Sequence, residues 1–311
     1  MNGAKVLAKL TRKPSGGKIA ALLRPCEIRA FIELVKLKQA RTDDVVLIGI
    51  DCLGALRNTD YFRFAGNDAA AATQRFYESM LAGKEAALDG VELASACKSC
   101  EHSIPDAADI ALALRGVDIG TGILAQAQSP AGEALLAQLN LPAAEVPKAR
   151  EDALARLLEA RTASRDQMFA ETAAATDSVE KLSNYMANCV NCYNCRVACP
   201  VCYCKECVFV TDVFNHDPAQ YLRWAQRKGA IKMPTDTVFY HLTRLTHMST
   251  ACVGCGQCSN ACPNDIPVME LFRLVGQRTQ EAFAYEAGKS VDESPPMSVF
   301  KEDEFQEVVG L

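Results

Sequence analysis

Short apolar runs alternate with an amphipathic stretch near the start of the chain. KIAALL at 18–23 and VVLIGI at 45–50 are continuous apolar runs of strand length. Between them, residues 26–39 repeat their apolar positions at helical spacing. A strand, a helix and a strand in this order predict a βαβ unit with a parallel sheet. Ligands tend to bind at the carboxyl ends of such strands, which is where Cys26 and Cys52 fall.

Helical patterns dominate the rest of the chain. Residues 66–90 are rich in alanine and favour a helix, whereas 97–125 carry further strand and turn signals. Residues 147–184 are rich in Ala, Glu, Arg and Leu, which predicts one long helix or two. Amphipathic helical stretches fall within 208–248. From residue 276 onward the sequence is polar and contains a pair of prolines, so we expect an extended tail there.

Charge and hydropathy exclude several classes of protein. The chain has 33 basic and 38 acidic residues, and a net charge of -5 argues against a nucleic-acid binder. Its apolar runs are far shorter than the roughly 20 residues that span a bilayer. The basic N-terminus lacks the apolar core and cleavage site of a signal peptide. We therefore predict a cytoplasmic protein with no transmembrane segment, peripheral to a membrane at most through its partners.

Cysteine is the unusual residue of this composition. The sequence has 15 cysteines, most of them at CxxC spacing. An odd number of cysteines, together with the lack of a secretion signal, disfavours a disulfide framework. Closely spaced thiols in a reducing compartment favour metal ligands instead.

Two complete copies of the run CxxCxxCxxxCP are the most specific signal. In this motif the first three cysteines wrap one 4Fe-4S cluster, and the fourth, just before the proline, ligates the other cluster. A pair of zinc sites is the alternative, but zinc favours paired CxxC knuckles rather than two such runs. The spacing assigns one cluster to Cys189, Cys192, Cys195 and Cys262, and the other to Cys252, Cys255, Cys258 and Cys199.

Four more cysteines lie in the first half of the chain. They are Cys26, Cys52, Cys97 and Cys100. Two strand ends and one CxxC loop can converge on a single cluster. Buried cysteines are also common as small hydrophobic residues, so spacing alone leaves both readings open.

Several of these segments resemble a known family. PCEIRA, GIDC and the CxxC pair followed by ADI are similar to the beta subunits of deazaflavin-coenzyme hydrogenases and formate dehydrogenases. CPVCYCKEC and HLTRLTHMSTACVGCGQCSNACPNDIP resemble the two-cluster extension of the formate dehydrogenase members. The resemblance implies that the four N-terminal cysteines ligate a third 4Fe-4S cluster beside a flavin. Only 24 residues precede Pro25, which is shorter than in the family and leaves FAD binding open.

Three cysteines remain outside these sets. Cys202, Cys204 and Cys207 are close in sequence, so ionised thiolates there would repel one another unless a metal or protonation relieved them. They could hold a further cluster, or a zinc ion completed by His216, or pack beside the neighbouring cluster. His241 and His247 precede the second motif, and we assign them no site.

These observations predict an α/β N-terminal domain and a mainly helical two-cluster (2 x 4Fe-4S) ferredoxin-type domain. The expected segments are an α/β domain at 1–146, a helical linker at 147–184, the two-cluster domain at 185–275 and a docking tail at 276–311. The expected function is an iron–sulfur electron-transfer subunit of a formate dehydrogenase, hydrogenase or heterodisulfide-reductase-like complex. Its partners would be other oxidoreductase subunits, including a flavoprotein.

No motif supplies an acid, a base or a nucleophile, so we assign no catalytic residue and expect the chain to act within a complex. The competing hypothesis is a thiol or disulfide reductase that uses Cys202, Cys204 and Cys207.

Overall fold

A four-stranded sheet and a series of helices form the described part of the chain. The computed structural model describes residues 2–84, 90–211, 217–228, 236–299 and 302. The strands are β1 Ile19–Leu23, β2 Val45–Ile50, β3 Ile110–Ala113 and β4 Leu124–Ala127. The first helices are α1 Gly3–Leu10, α2 Pro25–Lys36, α3 Asn58–Ala65, α4 Ala69–Leu81, α5 Ser95–Lys98 and α6 Pro130–Gln138. The later ones are α7 Lys148–Ala175, α8 Val179–Tyr185, α9 Asn194–Ala198, α10 Pro218–Lys228, α11 Asp236–Met248, α12 Gln257–Asn260 and α13 Val268–Ala282. None of the described helices is both long enough and apolar enough to cross a membrane.

The sheet has the strand order β1-β2-β3-β4. β1 pairs with β2, and β2 with β3, in parallel, whereas β4 pairs with β3 antiparallel. The predicted βαβ unit is therefore confirmed as β1, α2 and β2. Its carboxyl edge carries the residues that follow β1, β2 and β3.

Helix α2 begins directly after β1, and its sequence explains why. Pro25 occupies the first turn, where the missing N–H costs no hydrogen bond. The Glu27 carboxylate accepts a hydrogen bond from the Arg24 backbone N–H at 3.1 Å and from the Gly3 N–H at 2.9 Å. These contacts fix the first turn of α2, which contains Cys26.

One hydrophobic core joins residues from both halves of the chain. Phe31 of α2 belongs to the same buried cluster as Leu245 of α11 and Phe272 of α13. A smaller cluster lies between α3, α4 and the segment around Leu93. The shared core places the cysteine-bearing loops of the two halves against each other.

The segment after α13 packs closely on α2. The tail predicted from residue 276 begins within α13 in the structure, and Tyr285 and Ala287 beyond it are buried. The Tyr285 hydroxyl donates to the buried Glu33 carboxylate at 2.7 Å, and the Gly288 N–H donates to it at the same distance. Lys36 completes the site with an ion pair to Glu33 at 2.8 Å. The polar sequence of this segment therefore contains a buried attachment to α2, which is tolerated because the buried Glu33 carboxylate is paired with Lys36.

Candidate metal centres

The structure brings the four N-terminal cysteines to one cavity. Cys26 lies in the first turn of α2, Cys52 follows β2, and Cys97 and Cys100 lie in and just after α5. All four line this cavity, and Cys255 of the second motif lines it with them. We call these four residues the N-terminal set.

Cys52 is held by its neighbour in sequence. Asp51 is buried, and its carboxylate accepts hydrogen bonds from the N–H groups of Leu114 and Arg115 at 2.9 and 3.0 Å. Arg150 of α7 pairs with both carboxylate oxygens, at 2.5 and 3.0 Å. The carboxyl ends of β2 and β3 are thus tied to the long helix, and the Gly54 N–H donates to the Cys52 sulfur at 3.4 Å.

The CxxC loop of the N-terminal set is tied to α13. Arg273 donates to the Ser99 hydroxyl at 2.7 Å and pairs with Glu101 at 3.1 Å. Arg165 of α7 also pairs with Glu101. The loop between Cys97 and Cys100 therefore depends on helices from later in the chain.

Burial suppresses ionisation of Cys26, Cys52 and Cys97 in this set. It raises the pKa of Cys26, although the charge of Arg24 opposes the effect. It also raises the pKa of Cys52, and it raises that of Cys97 to about 12. Such thiols stay protonated near neutral pH unless a metal displaces the proton, which is the behaviour expected of buried metal ligands.

The first motif meets the last cysteine of the second motif. Cys189, Cys192, Cys195 and Cys262 line one small cavity together with Tyr240 and His241. These are the four cysteines that the crosswise pattern assigns to one cluster, and we call them the first set. The loop turns sharply between them, with Asn191 at φ 51° and Tyr193 at φ 59°.

The remaining motif cysteines form the second set, whose members are partly buried. Its members are Cys252, Cys255, Cys258 and Cys199. Burial raises the pKa of each of them, Cys199 acts electrostatically on Cys255 and Cys258, and Cys252 acts on Cys199. Gly256 has φ +73°, and a Cβ there would lie 2.4 Å from the Cβ of Ala96. A glycine at this position lets the loop approach the helix that carries Cys97.

The three sets lie side by side. Cys255 shares the cavity of the N-terminal set, and Cys26 acts on it electrostatically. Arg29 and Arg273 line a cleft that also contains Cys100 and Cys252. Between the other two sets, Arg244 acts on both Cys195 and Cys258. The second set therefore stands between the N-terminal set and the first set.

The three surplus cysteines have different surroundings. Cys202 packs beside Cys199, and burial raises its pKa to about 11. Cys204 is exposed, and Cys207 packs against Cys195 and Tyr240. His216 lies outside the described residues. The further metal at these cysteines stays a prediction.

None of the described Cys, His, Asp and Glu side chains form a group of three or more arranged to hold a metal ion. A cubane requires less convergence than a single ion does, because its thiolates bind different irons at its corners.

Of the two histidines before the second motif, His241 lies differently from the sequence interpretation. His241 is 2 % exposed, and its Nε2 lies 3.5 Å from the Cys189 sulfur. Burial and the charge of Arg244 lower its pKa to about 4. The signal was the helical spacing, since His241 and Arg244 share a face of α11 with Leu245 and Met248, which are buried. His247 is exposed, in accordance with the sequence interpretation.

An aromatic-lined cavity of about 320 Å³ adjoins the N-terminal set. It shares Arg24 and Cys52 with the cysteine cavity. Its other side is formed by α3 and α4 and includes four aromatic rings, those of Tyr61, Phe64, Phe76 and Tyr77. Its size is at the lower end of the range for small-molecule sites, roughly 300–1,000 Å³. A planar ring could lie there next to the cysteines, at the carboxyl edge of the sheet.

Comparison with known proteins gives one family match and two relatives. Residues 185–266 match the family described as 4Fe-4S dicluster domain. A relative from Methanocaldococcus jannaschii, named F420-dependent formate dehydrogenase subunit beta, is 27% identical across 95% of this chain and 79% of its own length. A second, F420-dependent formate dehydrogenase 1 subunit beta of Methanococcus maripaludis, is 26% identical across 90% of this chain and 75% of its own length. The predicted resemblance is thus confirmed: the chain is an iron–sulfur protein with a C-terminal 4Fe-4S dicluster domain, and a homologue of formate dehydrogenase beta subunits.

Proposed function

We propose that this chain is the electron-relay subunit of a multisubunit oxidoreductase and that it carries three 4Fe-4S clusters. The ligands would be the N-terminal set, the second set and the first set. A mainly helical two-cluster domain would hold the last two, and the α/β domain the other. The clusters supply one-electron redox chemistry, while the chain spaces them and sets their potentials.

A single observation carries this proposal, namely the arrangement of the three cysteine sets in one row. The second set contacts the N-terminal set through Cys255 and the first set through Arg244. Electrons could therefore pass along the row without leaving the protein. Cys192 of the first set is exposed, which makes that end accessible to a partner.

The aromatic cavity fits the isoalloxazine ring of a flavin. We propose that FAD binds there, with Arg24 and the rings of Tyr61 and Phe76 as its contacts. A flavin exchanges two electrons with an organic substrate and single electrons with a cluster. The position next to Cys52 suits this role. By analogy with the F420-dependent relatives, the organic partner would be a reduced or oxidised deazaflavin, and the other end would face a formate-oxidising subunit.

Metal analysis of the anaerobically purified chain tests the cluster assignment. Three cubanes require about 12 Fe and 12 sulfide per chain and a broad absorption band that dithionite bleaches. Protein that contains only zinc after full reconstitution would contradict the proposal. The relay role further predicts that the isolated chain does not oxidise formate without its partner subunits.

A cavity-filling variant tests the flavin site. Thr73 lines the aromatic cavity, so Thr73→Trp should abolish flavin absorbance while the iron content stays at the wild-type level. Gln74→Trp on the same helix is the matched control, because Gln74 is exposed and does not line the cavity. Flavin retained at full occupancy in Thr73→Trp would place it elsewhere.

The geometry does not favour the thiol-reductase alternative, although Cys204 is exposed. A reductase needs an accessible thiol with a lowered pKa. Burial raises the pKa of Cys202, and Cys207 packs into an aromatic cluster. Stoichiometric turnover of a disulfide by the isolated chain would restore that alternative.

A further inference from the structure

Helix α11 directs three polar side chains at the sulfurs of the first set. Arg244 donates from Nη1 to the Cys195 sulfur at 3.1 Å. The Tyr240 hydroxyl lies 3.6 Å from the same sulfur. One ring nitrogen of His241 lies 3.5 Å from the sulfur of Cys189. These contacts come from the insertion between the two cysteine motifs, so the insertion reaches the ligands themselves.

Arg244 is fixed in this position. It is 4 % exposed, and its second terminal nitrogen donates to the Cys195 carbonyl at 3.3 Å. Its guanidinium group lies over the ring of Phe272, 4.6 Å from the centroid. Replacement of this side chain therefore changes both a buried charge and a hydrogen bond to sulfur.

The positive charge of Arg244 differs from those of Arg273 and Arg29, which line the cleft beside Cys252. Arg273, which lies near Cys252, pairs with Glu101, and Arg29 pairs with Glu286. Within the described ranges, no carboxylate forms an ion pair with Arg244. The charge of Arg244 therefore acts on sulfurs of both C-terminal sets, including Cys199 and Cys258 of the second set. Its hydrogen bond to sulfur goes to Cys195 of the first set, which favours that cluster.

We infer that Arg244 is a positioning residue that raises the reduction potential of the first-set cluster above that of the second-set cluster. This inference rests on the proposed function, because it requires that both cysteine sets hold clusters. Reduction adds negative charge to a cluster, and a fixed cation and an N–H donor stabilise that charge. The first-set cluster then becomes the favoured electron acceptor, and electrons collect at the end of the row where Cys192 is exposed.

The test is a potentiometric titration of the anaerobic full-length chain, followed by the paramagnetic resonance signals of its reduced clusters. Cys192→Ser identifies the signal of the first-set cluster, because that residue is its exposed ligand. In Arg244→Gln we expect that cluster to become about tenfold harder to reduce, which is about 59 mV for one electron. The N-terminal cluster should keep its potential.

Three further variants separate a role in tuning from a role in folding. Arg244→Lys keeps the charge and should shift the potential less than Arg244→Gln does. Tyr240→Phe removes only the hydroxyl near Cys195 and should give a smaller shift in the same direction. Thr246→Ala is the matched control on α11, because its hydroxyl bonds only to the Leu242 carbonyl of the same helix at 3.2 Å.

Each outcome supports the inference or overturns it. An unchanged potential in Arg244→Gln with full iron content would overturn it, as would equal shifts of the first-set and second-set clusters. If Arg244→Gln does not assemble its first-set cluster, the potentials of Arg244→Lys and Tyr240→Phe test the inference instead. Loss of the first-set cluster in both variants would mean that these side chains have a purely structural role. Wild-type protein without clusters would instead contradict the proposed function.

Discussion

The C-terminal cysteine sets and the N-terminal set reach similar arrangements by different routes. Each C-terminal motif supplies three cysteines of a set from one tight loop, so local chain geometry places most of each set. The N-terminal set takes Cys26 and Cys52 from two strand ends and the other two from a distant loop. Its geometry depends on the sheet and on α7 and α13, which hold Asp51 and Glu101. The comparison indicates that the N-terminal centre should be the more sensitive to remote mutations.

The largest expected effect is the loss of one whole centre. Cys52→Ala removes a ligand that no neighbouring cysteine replaces, so the iron content should fall by about one third, from about 12 to about 8 atoms per chain. Cys204→Ala, at an exposed cysteine outside the three sets, is the comparison: three clusters predict that it retains all the iron, whereas iron loss there would support the further metal at Cys202, Cys204 and Cys207. Unchanged iron in Cys52→Ala would make Cys52 a packing residue.

Crosswise ligation is the most specific prediction for the C-terminal sets. Cys262→Ser should damage the first-set cluster, because Cys262 lines the cavity of Cys189, Cys192 and Cys195. Serine provides a weaker oxygen ligand, so we expect altered resonance and partial iron loss rather than complete loss. Damage confined to the cluster of the other motif loop would reverse the assignment.

Substitution of Arg150 removes the ion pair that ties Asp51, next to Cys52 of the N-terminal set, to α7. Arg150→Met leaves the Asp51 carboxylate buried without its charge partner, which costs about 3–5 kcal/mol. On titration with denaturant, the N-terminal cluster should be lost before the two C-terminal clusters. Arg156→Met, at an exposed position of α7, is the control. Simultaneous loss of all three clusters would remove the distinction between the two regions.

The contact between α2 and the chain after α13 should contribute less to the free energy of unfolding than the Arg150–Asp51 pair does. Tyr285→Phe removes a hydroxyl that donates to both oxygens of the buried Glu33 carboxylate, at 2.7 and 3.0 Å. A hydrogen bond to a charged group is worth about 1.5–3 kcal/mol, so the free energy of unfolding should fall by that amount.

Deletion of residues 295–311 leaves this contact intact and tests the docking role of the tail separately, through association with partner subunits.

The smallest effect concerns pH and the first turn of α2. Burial raises the pKa of Glu27, but its contacts with Arg24 and the Gly3 N–H outweigh this and lower the pKa overall. A carboxylate with a lowered pKa stabilises the fold above its unfolded-state value of about 4.3, and this contribution is lost as the pH falls through the folded-state pKa. Glu27→Gln should therefore reduce stability at pH 7 by on the order of 1 kcal/mol. The difference from wild type should disappear at acidic pH, and a difference independent of pH would contradict this explanation.

The sequence by itself determined the features that depend on short-range spacing. The βαβ unit follows from apolar runs whose period matches a strand or a helix, and β1, α2 and β2 lie where those runs predict. The two C-terminal motifs can be identified from sequence for the same reason, since two-residue gaps determine which thiols can share a cluster. The long helical stretch after Pro147 also follows from composition, and it forms α7 and α8.

Only the tertiary structure decided which distant residues meet. Nothing in local spacing indicates that Arg244 donates to Cys195, that His241 reaches Cys189, or that Tyr285 bonds to Glu33. These contacts join residues far apart in the chain, and they form because one shared core draws α2, α11 and α13 together. Periodicity reports which face of a helix is buried but not what it is buried against. The sequence therefore predicted which cysteines belong together, whereas packing decided how the three sets lie relative to one another and which charges act on them.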